Sequence, residues 1–258
     1  MSKVCVIGPS GRMGQMVLGC AQERSDVEIT GAADSPGSAL IGTEVTAGVV
    51  AQTDLATALA NADVYVDFST PEASAQAAKA AHALGVGAVI GTTGLTEAAN
   101  AAIDSLAEVA PVLVAANFSL GVNLLLDLAE KAARALPGYD LEVVEMHHRR
   151  KRDAPSGTAI AVAEALAKGR GIDYDQSKCY ERSGDVGART DDEIGVFAVR
   201  GGDIVGEHTA FLIGENERIE LSHRAASRSI FADGALTAAV WLAGKTPGRY
   251  TMRDVLGL

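Results

Sequence analysis

Aromatic residues are scarce: they make up 4% of the sequence, with a single tryptophan. Alanine and 28 glycines take their place, which suits closely packed layers of helix on sheet. Cysteine is also rare. Cys5, Cys20 and Cys179 are odd in number, widely spaced and form no CxxC pair. That excludes a disulfide framework or a thiolate metal centre, and no other metal-ligand cluster is visible, so no metal is expected. No apolar run approaches the roughly 18 residues that a membrane span requires. Met1-Ser2-Lys3 leads straight into an apolar run and leaves no room for a signal peptide, so a cytoplasmic protein is expected. Positive charge is in deficit as well. The net charge of -11 argues against a general nucleic-acid binder.

What is present is an ordinary globular composition, 48% hydrophobic and 21% charged over 258 residues, enough for one large domain or two modest ones. The first half alternates strand and helix. Strands are predicted at Lys3–Ile7, Val27–Ala33, Val64–Phe68, Val86–Ile90 and Val112–Ala115. Helices are predicted at Gln15–Glu23, Leu55–Ala60, Pro71–Ala83 and Glu97–Val109, which together indicate an α/β domain with a parallel sheet. Between the first strand and helix lies Gly8-Pro9-Ser10-Gly11-Arg12-Met13-Gly14. This GxxGxxG string is a variant of the dinucleotide fingerprint: Gly8 for the tight turn, Gly11 for backbone approach to a pyrophosphate, Gly14 for close helix–strand packing. A glycine-rich turn without a ligand is the plainer alternative. Asp34 ends the second strand about 20 residues on, where an acidic residue binds ribose hydroxyls; capping a turn is its alternative role. Gly91-Thr92-Thr93-Gly94 follows another strand, at the strand end where open α/β sheets bind ligands.

The regular alternation loosens at Ala115-Ala116-Asn117-Phe118-Ser119. A domain change is placed there, giving 1–118, then 119–227, with 228–258 returning to the first domain. Ser119 is read as the cap of a helix running to Leu136, and Asp140–His147 as a strand. After a helix to Lys168, the polar stretch 169–192 reads as a long loop. Ile194–Val199, Ile204–Ile213 and Glu217–His223 read as strands of a meander, with turns at Gly201-Gly202 and Glu215-Asn216. Ser229–Ala243 is the final helix.

One segment concentrates chemistry: Glu145-Met146-His147-His148-Arg149-Arg150-Lys151-Arg152-Asp153-Ala154-Pro155-Ser156-Gly157-Thr158-Ala159. It reads as strand, basic loop and helix N-terminus, with Ser156 as the N-cap. A helix start binds anions through its unpartnered amides and dipole, and Gly157 lets a ligand approach the backbone. His147, His148 and Lys151 supply charge and acid/base candidates, since histidine titrates nearest neutral pH. A small carboxylate ligand fits; a solvated basic loop or a nucleic-acid patch is the alternative. Glu145 is read as a structural partner of Lys151 or an arginine and not as a base. His208 and His223 are read as packing or interface residues, and His82 as incidental.

These residues resemble the 4-hydroxy-tetrahydrodipicolinate reductase (dihydrodipicolinate reductase) family. The likeness runs along nearly the whole chain and is carried by Glu145 to His148, Lys151 and Asp153 to Ala159. Gly8 to Gly14, Gly91 to Gly94, Ala116 to Asn123, Gly201 to His208 and Met252 to Val255 support it. The resemblance implies a Rossmann-like nucleotide domain, a second α+β domain with an open mixed sheet, a homotetramer, and nicotinamide-dependent reduction of a hydroxylated cyclic imine with loss of water. It implies His147 as proton donor/acceptor, Lys151 as second proton donor, and His148, Ser156, Gly157 and Thr158 as substrate ligands. On the cofactor side it implies Gly8, Pro9, Ser10, Gly11, Arg12, Met13, Asp34, Gly91, Thr92, Thr93, Ala115, Ala116, Asn117 and Phe118. Many members of the family carry a basic residue after the acidic ribose ligand and use both cofactors. Here Ser35 follows Asp34, so NADH is expected to be preferred, with NADPH possible if a cation comes from elsewhere. Exclusion of water implies domain closure, with hinges expected near Ser119 and Ser227. Two other classes stay open: a different NAD-dependent dehydrogenase on a similar plan, and a non-catalytic NAD-sensing or nucleic-acid-binding relative.

Overall fold

Val4, Cys5, Val6 and Ile7 of the first strand are all buried, and alternate residues enter different cores. Successive side chains of a strand point to opposite faces, so this sheet must be covered on both. The computed structural model describes Met1–Leu258 and shows that it is. The chain order is β1 (Ser2–Ile7), α1 (Arg12–Gln22), β2 (Val27–Ala33), β3 (Glu44–Thr46), β4 (Val49–Val50), α2 (Leu55–Leu59), β5 (Val64–Asp67), α3 (Pro71–Leu84), β6 (Gly87–Ile90), α4 (Glu97–Ala107) and β7 (Pro111–Val114). Then come α5 (Leu120–Ala135), β8 (Asp140–His147), α6 (Gly157–Arg170), α7 (Tyr174–Ser177), β9 (Lys178–Cys179), β10 (Ile194–Arg200), β11 (Gly206–Ile213) and β12 (Arg218–Ala225). The chain closes with α8 (Ser229–Leu242), β13 (Gly248–Tyr250) and α9 (Met252–Leu256). Two compact units result, Met1–Leu120 with Ser229–Leu258, and Gly121–Arg228. No helix is long and apolar enough to cross a membrane.

The first unit is a six-stranded sheet in the order β13-β7-β6-β5-β1-β2, every pair parallel. Val4, Val6, Val66, Val89 and Leu113 face α1 and α8, whereas Cys5, Ile7, Tyr65, Ile90 and Val112 face α2, α3 and α4. Burial on both faces explains why these strands read as continuous apolar runs. Register aligns the strand ends. Ile7 lies beside Ala33 and Asp67, Asp67 beside Ile90, and Ile90 beside Val114. The next residues, Gly8, Asp34, Phe68, Gly91 and Ala115, therefore form a single lip. The connection reverses direction between β1 and β5, the switch point where such sheets bind ligands.

The second unit has a mixed sheet, β12-β11-β8-β10-β9. β8 alternates along its length: Leu141, Val143, Glu145 and His147 turn to the covered face. On that face they join Ala159, Val162, Ala163 and Leu166 of α6, with Ile194, Val196, Ala210 and Leu212 from the flanking strands. The expected meander is not formed. β10 runs parallel to β8, and β11 lies antiparallel on the other side of β8, so only β11 and β12 make a hairpin. Gly201-Gly202 does not close a tight turn; it crosses the end of β8. Gly201 donates to the His147 carbonyl (3.0 Å), Arg149 to the Gly202 carbonyl (3.2 Å) and His148 to the Ile204 carbonyl (2.8 Å). The stretch read as a long loop contains α7 and β9, and Arg182 and Arg189 in it pair with Glu142 of β8.

Gly234 sits in α8 where a Cβ would lie 1.8 Å from the Phe118 carbonyl oxygen. Gly234→Ala should lower the unfolding free energy in urea by about 1–3 kcal/mol. Gly19→Ala, whose Cβ in α1 would meet open space, should raise it by up to about 1 kcal/mol. Equal midpoints for the two variants would contradict this packing.

Candidate active site

At the lip of the parallel sheet, Gly8 has φ +75°, a backbone that side chains rarely tolerate. A Cβ on Gly14 would lie 2.2 Å from the Gly8 carbonyl oxygen, so the glycine loop can fold onto α1 only if residue 14 is glycine. Gly11 is the N-cap of α1 and gives it no side-chain cap, whereas Thr70 and Thr96 cap α3 and α4. The start of α1 is thus left open for an anion. Ser10, Gly11 and Arg12 are exposed there, Met13 is half-buried and Pro9 is buried. Asp34 turns toward this loop. Its carboxylate accepts from the Ser10 amide (2.9 Å), the Ser35 amide (2.7 Å) and the Ser38 hydroxyl (3.2 Å). Burial works against its charge, but those hydrogen bonds outweigh it and hold the carboxyl below its usual range. The pattern fits a dinucleotide: open amides for the pyrophosphate, and an oriented carboxylate for ribose hydroxyls.

The rest of the lip is more structural than its sequence implied. A Cβ on Gly91 would lie 2.0 Å from the Phe68 ring, so this glycine makes room for Phe68. Phe68 in turn packs edge-on against Phe118, whose side chain is buried. Phe118 therefore has only backbone to offer a ligand. Thr92 is buried, and its hydroxyl donates to Asp67 (3.2 Å) and accepts from the Ser69 amide (3.0 Å). Thr93 and Ala116 are exposed, while Ala115 and Asn117 are half-buried.

In the second unit, the covered face of the sheet turns polar at one end. Glu145 is fully buried. Its Oε2 lies 2.6 Å from His147 Nδ1 and accepts from Arg200 Nη1 (2.8 Å). Its Oε1 accepts from Arg200 Nη2 (2.7 Å) and from the Ser156 amide (3.0 Å). Burial opposes the Glu145 charge, and Arg200, His147 and Ser156 more than compensate, so the carboxyl is held below its ordinary range. Ser156 caps α6 by accepting from the Ala159 amide (3.2 Å) and meets His208 Nε2 at 3.0 Å. The His208 and His147 rings pack edge-on, centroids 5.2 Å apart. A Cβ on Gly157 would meet open space, so nothing in the protein demands a glycine there. Gly157 and Thr158 open α6, and the first-turn amides of a helix lack intrahelical partners. Lys151 pairs with Asp153 (2.7 Å), and His148 lies 3.4 Å from an Arg228 nitrogen. Partial burial, then the charges of Arg150 and Arg228, hold the His148 ring below its ordinary range.

The fold brings His147, His148, Lys151, Ser156 and the Gly157-Thr158 helix start into one region. Of the two structural partners expected for Glu145, a lysine or an arginine, the arginine is the one found: Arg200, which the sequence did not single out, binds it together with His147, while Lys151 binds Asp153. His208, read as packing or interface, sits against Ser156 and His147.

Dihydrodipicolinate reductase family models match the chain in two parts, the N-terminal one over residues 2–118 and the C-terminal one over 121–256. The chain belongs to the dihydrodipicolinate reductase family. The 4-hydroxy-tetrahydrodipicolinate reductase of Alkalilimnicola ehrlichii is 46% identical over 100% of this chain and 99% of its own. That of Syntrophotalea carbinolica is 46% identical over 100% of both. The dipicolinate-bound dihydrodipicolinate reductase from Paenisporosarcina sp. TG-14 superposes with a TM-score of 0.82 at 26% identity, covering 98% of each chain. As a member of the dihydrodipicolinate reductase family, the chain is an oxidoreductase whose cofactor is a pyridine nucleotide.

Burial lowers the His208 pKa to about 4, with the neighbouring His147 adding to the effect. Unfolding returns it to about 6.5, so the unfolded chain binds the extra proton between those values. His208 therefore contributes stability that is present above about pH 6.5 and is lost as pH falls toward 4. Melting temperature should drop between pH 6.5 and 4.5, and His208→Gln should flatten that slope. An unchanged slope would show that His208 is not buried neutral.

Proposed function

We propose that the chain reduces 4-hydroxy-tetrahydrodipicolinate to tetrahydrodipicolinate with loss of water, in lysine and diaminopimelate biosynthesis, and prefers NADH to NADPH. The observation that carries this reading is the end of β8. There a carboxylate-held histidine, a lysine and a glycine-opened helix start converge on a site suited to a small dicarboxylate.

The nicotinamide supplies hydride when bound. The reaction balances as substrate, NADH and one proton going to product, NAD⁺ and water. His147 gives and takes the proton through Nε2, since Nδ1 is held by Glu145. Lys151 is the second proton donor and binds substrate in competition with the exposed Asp153. His148, Gly157 and Thr158 hold the carboxylates. Ser156 contributes less, because its amide is taken by Glu145 and its hydroxyl by the helix cap and His208. Charge-assisted hydrogen bonds contribute about 1.5–3 kcal/mol each, enough to orient a small ring.

On the cofactor side, Gly8 to Met13 would cradle the pyrophosphate, Asp34 the ribose, and Gly91 to Thr93 with Ala115 to Phe118 the nicotinamide half. The division into a nucleotide domain, 1–118 with 228–258, and a substrate domain, 119–227, follows the same reading. Like charges at 4 Å near a protein surface repel by up to about 4 kcal/mol. A third of that between Asp34 and a 2′-phosphate already gives about tenfold selectivity. A cytoplasmic homotetramer is also proposed. The exposed side of the second sheet carries Val199 beside the half-buried Val144, Phe197 and Phe211, an apolar face suited to a second copy.

The decisive assay generates the unstable substrate from pyruvate and aspartate semialdehyde with its synthase and follows NADH and NADPH oxidation in parallel. Wild type should oxidise NADH at least about tenfold more efficiently than NADPH. His147→Gln and Lys151→Ala should each lose about 10²–10⁴-fold, mainly in kcat. No oxidation with either cofactor, in a protein that still binds NADH, would overturn the assignment. Sedimentation should give four times the 26.5 kDa chain mass; a monomer would remove the tetramer.

A further inference from the structure

We infer that Glu145 is a positioning residue for His147: paired with Arg200, it fixes the ring in the Nδ1–H tautomer and keeps the net charge beside it at zero. This rests on the proposed role of His147 as proton carrier.

Four hydrogen-bond partners surround the two oxygens of Glu145, and two of them are the prongs of one guanidinium. An ionised carboxylate only accepts, so His147 Nδ1 must be the donor in the 2.6 Å contact. The proton exchanged with substrate therefore sits on Nε2, and Glu145 remains ionised throughout. When Nε2 gives its proton to the substrate ring, His147 becomes the neutral Nδ1–H form, and solvent returns the proton after turnover.

A second, independent feature concerns the same nitrogen. A Cβ on Gly206 of β11 would lie 2.9 Å from His147 Nε2. Gly206 has ordinary backbone angles, so its lack of a side chain is not required by a turn. It keeps Nε2 uncovered.

The electrostatics follow from what surrounds the ring. Glu145 of β8 and Arg200 of β10 form a neutral pair beside Nδ1. On the other sides are the buried, neutral His208 of β11 and the loop residues His148 and Lys151, the latter paired with Asp153. Removing either member of the Glu145–Arg200 pair leaves the other as an uncompensated charge next to the imidazole. The two deletions have opposite signs. An opposite charge within about 4–6 Å favours the protonated ring by one pH unit or more, and a like charge disfavours it comparably.

The test uses the full-length protein with ¹⁵N-labelled histidine, alongside the coupled assay over pH. Wild-type His147 should show the Nδ1–H tautomer at high pH. In Glu145→Gln, an isosteric change, the pH at which His147 takes its second proton should fall by about one unit or more. In Arg200→Met it should rise by a similar amount, and the limb of kcat against pH should move with it in each case. Circular dichroism checks folding, and if Arg200→Met does not fold, the downward shift in Glu145→Gln decides alone. Losses of kcat with unmoved titration and an unmoved limb, or a wild-type Nε2–H tautomer, would overturn the inference. An inactive wild type with the expected tautomer and shifts would instead overturn the proposed reaction while leaving the positioning intact.

Discussion

A carboxylate with no access to water must be paired, and the pairing of Glu145 constrains the whole second unit. An unpaired buried charge is costly, and breaking such a pair typically costs about 3–5 kcal/mol. Glu145 can be satisfied only if β8 presents it to the covered face, β10 ends with Arg200 alongside, and α6 begins with its Ser156 amide pointing back. A one-residue slip of β8 would turn Glu145 and His147 to the open face and bring Met146 and Val144 inward. One ion pair therefore fixes the register of three elements, and the His147 ring inherits that precision.

Two of the three buried carboxylates, Asp67 and Glu145, show what the guanidinium contributes. Asp67, at the end of β5, is also fully buried, but its partners are the hydroxyls of Ser69, Ser74 and Thr92 and the Ser69 amide. No cation meets it. Burial wins there and pushes its carboxyl up despite those hydrogen bonds, whereas Arg200 helps hold Glu145 down. Asp67 ties β5, α3 and the turn after β6 into one lip; Glu145 is a charge held beside the His147 imidazole.

Local features were legible in the sequence because they are local. Gly8 is set by its own positive φ and Gly14 by contacts within one strand–turn–helix, and Ser156 by the helix that it caps, so residue type and spacing were enough. The order of the second sheet was not legible. Gly201-Gly202 between two apolar runs reads as a hairpin turn, yet the same pair serves a crossing over the end of β8, and only the position of β8 decides between them. Arg200 was missed because its partner is 55 residues away and becomes a neighbour only through the β8–β10 pairing. Gly91 and Thr92 were read for their reach toward a ligand. The ring of Phe68 and the carboxylate of Asp67 claim them first, and neither contact is visible as a spacing.

Charge placement completes the picture. A chain of net charge -11 should repel a dicarboxylate and a dinucleotide alike. Screening confines that repulsion to about 8 Å at physiological salt, so what an anion meets on arrival is local. At the end of β8 it meets Arg149, Arg150, Lys151 and Arg152 in one short loop, and at the start of α1 it meets open backbone amides without a capping side chain. Three acids at these two places are already committed. Asp153 is held by Lys151, Glu145 by Arg200, and Asp34 by three donors of its own neighbourhood. An acidic surface can coexist with a cationic loop and an open helix start because distant charge is screened and Asp153, Glu145 and Asp34 are each tied to partners of their own.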